Sequence, residues 1–486
     1  MRKSLLHQIS RGRQWSVCAL RYGSSTTKVE LDESVRDLIE STELNPKRHP
    51  GAMRNVNNPL PEDLQVAMIK TLGDVSKKIL VDQARELCKY LHSRKPPMEE
   101  DEEHALVSRI REEVTEELNV KLEDLNDSMR EHYKKVIASK VEQIAKQRKY
   151  NWQQIDFTRH KGLQYMVARS AREYAINYQV LKELKTRFQY TPKTFFDFGS
   201  GVGSVLWAAE SLWGTSLKEV FAVDASSHMN DIAREMLTHA DRKHLKNVLF
   251  QRQFLPMSNS PKYDVVVSSF SLLELPSVGA RLETVLNLWN KTGDFLVLIE
   301  FGTMAGFKVI TEARDFLLWG MRKKSAQSCM KGHVVSPCPH DKKCPLQSSE
   351  ESSKPCNFSA TFTSFPQKPL TKKELYSYVI LKKGSRPAND SHWPRIIRPV
   401  LLRHKHAICR MCTPEGKFSE VIFTPNKHGK ATFRCAKQSK WGDRLPMSIQ
   451  DLPNDSETNL EVHNLQDTER DVTTNTAQQV VHHVVK

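Results

Sequence analysis

The sequence predicts an α/β fold in which a mainly parallel, doubly wound sheet is flanked by helices. Two observations predict it. Short apolar segments of strand character alternate with helical segments from Thr194 to Glu300. The first of these segments runs directly into a glycine-rich turn, Phe196-Asp197-Phe198-Gly199-Ser200-Gly201-Val202-Gly203. A third observation sets the chain apart from a plain sheet domain: seven of its nine cysteines fall between Cys329 and Cys435.

Residues 1–28 carry Arg2, Lys3, Arg11, Arg13, Arg21 and Lys28, with no acid before Glu30 and with Leu5, Leu6, Ile9, Trp15, Val17 and Leu20 interleaved. This acid-poor amphipathic pattern predicts a mitochondrial transit peptide, and so the mitochondrial matrix. Residues 29–160 read as an N-terminal helical region, where Leu106, Val107, Ile110, Val114, Leu118, Leu122 and Leu125 recur near helical spacing in a highly charged stretch. The sheet domain spans 161–385, with strands expected at Thr194–Phe198, Glu219–Asp224, Tyr263–Ser268 and Asp294–Glu300. Residues 326–372, rich in Ser, Lys, Pro and Cys, read as an insertion into that domain before strand character returns at Tyr376–Leu381. Residues 386–446 form a basic β-rich region, with hairpins between His406 and Cys435 that turn at Pro414-Glu415-Gly416 and Lys427-His428-Gly429. The polar, aperiodic stretch 447–486 reads as a disordered acidic tail.

The formal charge of +16 understates the basicity. From Asp451 onward there are seven acids and two bases, which leaves +21 on the rest of the chain. An excess of that size points to a polyanionic partner, foremost nucleic acid. The predicted contact is the stretch Lys382, Lys383, Arg386, Arg395, Arg398, Arg403, Lys405 and Arg410, which contains one acid, Asp390. Trp393 within it could stack on a base or anchor a core. No apolar run approaches the roughly 20 residues of a membrane helix, so no membrane partner is expected.

At the glycine turn, Gly199, Gly201 and Gly203 permit a tight bend and close approach of backbone to a ligand, and the next helix presents its N-terminus there. The spacing lacks the later glycine of the dinucleotide fingerprint, where this chain has Leu206, which favours S-adenosylmethionine. Asp224, ending the second strand, is placed to accept the ribose hydroxyls, and Asp197 to hold the cofactor's ammonium. Where amino-group methyltransferases carry an Asn/Asp-Pro-Pro-aromatic motif, this chain reads Ser268-Ser269-Phe270-Ser271-Leu272-Leu273-Glu274. No residue is therefore assigned to catalysis.

The cysteines sit in local motifs: Cys338 in Pro-Cys-Pro-His, Cys344 in Lys-Cys-Pro-Leu, Cys356 in Cys-Asn-Phe-Ser, and Cys412 in Cys-Thr-Pro-Glu-Gly. In a reducing compartment such clusters are metal ligands sooner than disulfides. Spacing alone leaves iron and zinc both open, with His333, His340 and His404 as further candidates and Cys409 as a substitute for Cys412.

These motifs, with Arg169–Ala175, the glycine turn, Ser269–Glu274 and Glu300–Phe307, resemble the family of mitochondrial methyltransferase-like protein 17 and related small-subunit mitoribosomal proteins. The resemblance implies a Rossmann-like class I S-adenosylmethionine methyltransferase fold with a cysteine-rich metal-binding insertion and a C-terminal β-hairpin region. It also implies a [4Fe-4S] cluster on Cys338, Cys344, Cys356 and Cys412, and S-adenosylmethionine bound by Asp197, Gly199, Gly201, Gly203 and Asp224. The implied partner is the small mitoribosomal subunit, its rRNA and proteins, and the implied role is an assembly factor without methyl transfer. An active rRNA methyltransferase and a zinc-stabilised RNA-binding module are the alternatives.

Overall fold

The computed structural model describes residues 27–53, 57–120, 122–150, 152–240, 247–252, 261–320, 331–347, 353–366, 368–388 and 390–451. The predicted transit peptide, apart from Thr27 and Lys28, lies outside these residues, as does the tail beyond Asp451. In chain order the N-terminal part comprises β1 (Thr27–Leu31), α1 (Glu33–Glu40), α2 (Glu62–Leu72), α3 (Lys77–Ser93), α4 (Glu100–Leu118) and α5 (Asp127–Arg148). The helical spacing read around Leu106 belongs to α4, which joins α5 through a small core of its own, Ile110, Val114, Ile137 and Val141.

The sheet domain opens with α6 (Arg159–Arg187), whose start is capped by the Thr158 hydroxyl accepting from the Lys161 N–H. There follow β2 (Thr194–Phe198), α7 (Ser204–Trp213), β3 (Glu219–Val223), α8 (Ser227–His239), β4 (Val248–Gln251), β5 (Tyr263–Ser269), α9 (Val278–Lys291), β6 (Thr292–Phe301) and α10 (Met304–Asp315). Three more strands come next: β7 (Gly332–Ser336), β8 (Phe358–Thr363) and β9 (Thr371–Lys383). The sheet order is β4-β3-β2-β5-β6-β9-β7, with β8 pairing the first half of β9. β2 to β6 run parallel, and β9 is antiparallel to β6, β7 and β8. Insertion of β9 antiparallel between β6 and β7 is the topology expected of the class I methyltransferase fold. The central strands are fully buried at Phe195, Val265, Val266, Val267, Leu296, Val297 and Leu298, as near-continuous apolar runs in a parallel sheet require.

The C-terminal part holds β10 (Arg395–Ile396), β11 (Leu401–Leu402), β12 (Ala407–Cys412), β13 (Phe418–Phe423), α11 (Pro425–His428), α12 (Lys430–Gln438) and β14 (Met447–Asp451). Its core, with Ile396, Cys409, Met411, Phe423 and Cys435, also takes in Val35 and Ile39 of α1.

Three expectations are corrected. Residues 326–372 are not merely an insertion: β7 is an edge strand of the sheet, and β8 extends β9. Both strands are short, and the cysteine, proline and serine surroundings masked their apolar alternation. The second expected hairpin is helical instead, because Thr424 accepts from the Lys427 N–H and Pro425 occupies the first helical turn. The span 447–486 does not begin as a disordered tail, since Met447–Asp451 pairs antiparallel with Thr27–Leu31.

Candidate cofactor turn and four-cysteine site

The turn after β2 adopts the left-handed backbone that its glycines allow, with φ of +69° at Gly199, +53° at Gly201 and +85° at Gly203. A Cβ on Gly199 would stand 2.4 Å from the Cβ of Ser271, whereas one on Gly201 meets nothing nearer than Met229 Cε at 3.6 Å. Gly199 is thus tightly packed, whereas a Cβ on Gly201 would make only ordinary contacts, with Met229 and Tyr165 at 3.6 and 4.0 Å. Asp224 pins the turn: Oδ2 accepts from the Gly201 N–H at 2.9 Å, and Oδ1 from the Ser226 N–H at 2.9 Å. Each oxygen keeps a second lone pair for a hydroxyl. Asp197 is 1% exposed, and neither of its carboxylate oxygens has a hydrogen-bond partner. Burial, reinforced by the charges of Asp224 and Glu173, pushes its carboxyl well above the usual range. A buried acid without a partner is rare outside functional sites, and a bound cation would satisfy it.

Beside the turn, the Ser268–Glu274 segment faces inward. Ser268 and Ser271 share a hydrogen bond of 2.6 Å, Ser271 donates to the Phe198 carbonyl, and Ser269 donates to Asn177. Glu274 forms an ion pair with buried Arg94. Glu300 Oε1 accepts from the N–H groups of Leu272 and Leu273, and burial pushes its carboxyl up to about 8. A buried ion network that sequence reasoning missed closes one side. Arg169 reaches Glu173 at 3.0 Å and Glu374 at 2.9 Å, Arg172 reaches Glu374 at 2.5 Å, and Tyr165 donates to Glu173 at 2.5 Å. The i, i+4 spacing of Arg169 and Glu173 was a signal, but its burial depends on β9.

Cys338 follows β7, Cys344 lies in the next turn, Cys356 precedes β8, and Cys412 ends β12. The structure brings all four to one small cavity, otherwise lined by Pro337, Pro345, Leu346 and Ile397. Among the described residues, no group of three or more His, Cys, Asp or Glu is arranged to hold a single metal ion. Burial pushes the Cys344 thiol up to about 12 and those of Cys356 and Cys412 well above their usual value, with neighbouring cysteines adding to each. Arg314, buried beside them, donates to the carbonyls of His340 and Lys342. His340 accepts from the Lys342 N–H through Nδ1, so its Nε2–H points to Cys412 Sγ at 3.1 Å. His333 bonds the Gly384 carbonyl, and His404 is exposed. Cys409 cannot stand in for Cys412: three positions apart on one strand, the two face opposite ways, and Cys409 is buried in the C-terminal core.

The basic stretch is largely turned inward, against expectation. Arg395 is 1% exposed and bonds Glu183, Ser336 and the carbonyls of Pro337 and Gly442. Arg398 donates to the carbonyls of Lys354, Pro355 and Ile397. Arg386 pairs with Asp341 and Asp390. These arginines fasten the cysteine segment; Arg403 and Lys405 remain exposed. Trp393 lies under Arg444, with the guanidinium 5.3 Å from the ring centre.

Residues 159–446 match the family described as mitochondrial small ribosomal subunit Rsm22. The human protein named ribosome assembly protein METTL17, mitochondrial, is 37% identical over 410 residues, covering 82% of this chain and 86% of that protein. The chain belongs to the Rsm22 family. Saccharomyces cerevisiae ribosome assembly protein RSM22, mitochondrial, is 21% identical over 56% of this chain and 65% of its own length. Rsm22-cox11 tandem protein 1, mitochondrial, of Schizosaccharomyces pombe is 29% identical over 57% of this chain and 42% of its own length. The glycine turn, Asp224 and all four cysteines fall inside the span that the family covers. Among solved structures, magnesium protoporphyrin IX methyltransferase from Synechocystis PCC 6803 overlaps at a TM-score of 0.28 with 15% identity, over 48% of this chain and 88% of that one. At that score it adds nothing to the topology described above.

Proposed function

We propose that this Rsm22-family chain is a mitochondrial-matrix assembly factor of the small mitoribosomal subunit that binds rRNA. In this reading it holds S-adenosylmethionine at the glycine turn and a [4Fe-4S] cluster at Cys338, Cys344, Cys356 and Cys412, without transferring a methyl group. The observation that carries it is the convergence of four cysteines, from segments up to 74 residues apart, on one cavity with otherwise apolar walls. Four thiolates around one zinc stand about 3.8 Å apart, as tetrahedral geometry at the usual zinc–sulfur distance requires. Ligands of a cubane each bind a different iron and so stand farther apart than those of a single zinc. Four thiolates on such a cluster leave net negative charge, and buried Arg314 and Arg398 flank the segment that would carry it. The cluster would supply cross-linking of the β7–β8 segment to β12, so metal binding and folding are linked.

For the cofactor, the unpartnered Asp197 carboxylate suits an ammonium, the bare Gly201 backbone at φ +53° permits close approach of a ligand, and Asp224 retains acceptor capacity for ribose hydroxyls. What supports the absence of methyl transfer is the Ser268–Glu274 segment. Its serines and its acid are engaged in hydrogen bonds or an ion pair with the protein itself. Methylation mapping of small-subunit rRNA, alongside gradient analysis of small-subunit assembly, tests this reading. Asp197→Asn should impair assembly without removing any single methyl group. Loss of one methylated nucleotide with assembly intact would instead establish an active methyltransferase.

A further inference from the structure

A cleft of about 580 Å³ lies between α3, α6 and the β8–β9 hairpin, apart from both sites described above. Its size falls within the range of small-molecule sites. Its rim is cationic: Arg85 and Lys89 project from α3, Arg172 from α6 and Lys372 from β9, against one acid, Glu374. That acid is already neutralised by Arg169 and Arg172. The pairs of Arg85 with Asp82 and Lys89 with Glu86 are exposed i, i+3 contacts, which yield readily to another anion. Lys372 pairs with no acid among the described residues. Phe362 and Phe365 supply the aromatic part of the wall, and the Arg172 guanidinium lies 4.8 Å from the Phe362 ring centre. A cation rim over an aromatic wall fits a phosphate joined to a base.

The position of the cleft is informative. Open α/β sheets bind ligands beyond the carboxyl ends of their strands, and Glu374 sits just past the end of β6, where Phe301 pairs with Tyr376. A single layer of side chains divides the cleft from the glycine turn. From Glu374 it passes through Arg169, fully buried between the Phe270 and Phe301 rings, to Glu173 and Tyr165, and Tyr165 lies against Gly201.

We propose that this cleft is a nucleotide-binding site, taking a phosphorylated nucleoside, free or within an RNA chain, with phosphate on Lys372, Lys89 and Arg85. The base lies against Phe365, and the Arg169–Glu173–Tyr165 layer keeps it from the cofactor turn. The site names where one RNA contact of the proposed function falls, and it depends on neither cofactor nor cluster. Half-buried Cys88 lines the cleft and serves as its native reporter.

The test is calorimetry of the full chain with 5′-AMP and with a six-nucleotide RNA, paired with peptide-resolved iodoacetamide labelling of Cys88. Binding that protects Cys88 is expected. The double variant Lys89→Glu with Lys372→Glu should weaken binding by roughly ten- to a hundredfold for each charge reversed. Protection by both probes identifies the mononucleotide itself as the ligand, and protection by the RNA alone assigns the site to a nucleotide in a chain. RNA binding that leaves Cys88 as reactive as before overturns this site while the RNA-binding reading stands. No binding of either probe overturns both. A Cys88 inert in the free protein contradicts the open cleft, and unchanged affinity in the folded double variant removes the phosphate assignment.

Discussion

Arg395 offers the sharpest test of how the cysteine segment is held. Its guanidinium makes four hydrogen bonds: to Glu183 at 2.6 Å, to Ser336 at 2.9 Å, and to the carbonyls of Pro337 at 3.1 Å and Gly442 at 2.7 Å. Pro337 adjoins Cys338, so the arginine ties that station to α6 and to the C-terminal part. Burial works against the charge on Glu183, yet Arg395, then Arg187 and the Ser336 hydroxyl, hold its carboxyl down to about 2. Arg395→Met would leave that carboxylate buried without its main partner, a loss of about 3–5 kcal/mol. Because the folded-state value is depressed, the contribution is present above about pH 4.5 and is lost as pH falls through 2. The difference between wild type and variant should therefore narrow over that window. Urea unfolding, with hydrogen exchange on peptides spanning 334–346, reads both effects. Arg403→Ala, at an exposed position, should change stability by less than about 0.5 kcal/mol. If Arg395→Met costs under about 1 kcal/mol and instead lowers the salt dependence of RNA binding, the arginine is a phosphate contact and the network is misread.

Gly201→Val should abolish S-adenosylmethionine binding in calorimetry and also strain the turn, since φ there is +53°, whereas Gly199→Ala should lower stability by about 1–3 kcal/mol through its clash with Ser271. Glu300 has a raised folded-state value, so its contribution is full below about pH 4.5 and is lost as pH rises through about 8. Glu300→Gln should flatten the stability profile across that window, and an unchanged slope would assign the pH dependence elsewhere. Cys412→Ser should lose metal and local stability together, and His340→Phe should weaken metal retention by removing the Nε2–H donor to Cys412. Cys409→Ser should retain metal, and loss of metal in that variant would overturn the facing of β12.

The parallel part of the fold was legible because its strands are short apolar runs between helices and its turn spends three glycines on positive φ. β7 and β8 were not legible, because period-two alternation over five or six residues is weak when cysteine and proline crowd it. Flanking residues and spacing left Cys409 and three histidines open beside the four cysteines; the family resemblance singled out the four, and the structure brings them to one cavity. Charge misled most. Arg395 and Arg398 read as a nucleic-acid surface because composition counts charge, whereas their partners, Glu183 and several carbonyls, are distant in sequence. Asp197 was singled out by its place before the glycines, and the lack of a hydrogen-bond partner on either carboxylate oxygen emerged only in three dimensions.

The measurement that most directly tests the central claim is iron, sulfide and zinc content of the anaerobically purified full chain, taken with its visible spectrum. About four irons and four sulfides per chain are predicted, with broad sulfur-to-iron absorption that disappears on replacing any one of Cys338, Cys344, Cys356 or Cys412 by serine. A colourless protein with one zinc per chain, lost in the same four variants, would contradict the cluster while leaving its ligands in place.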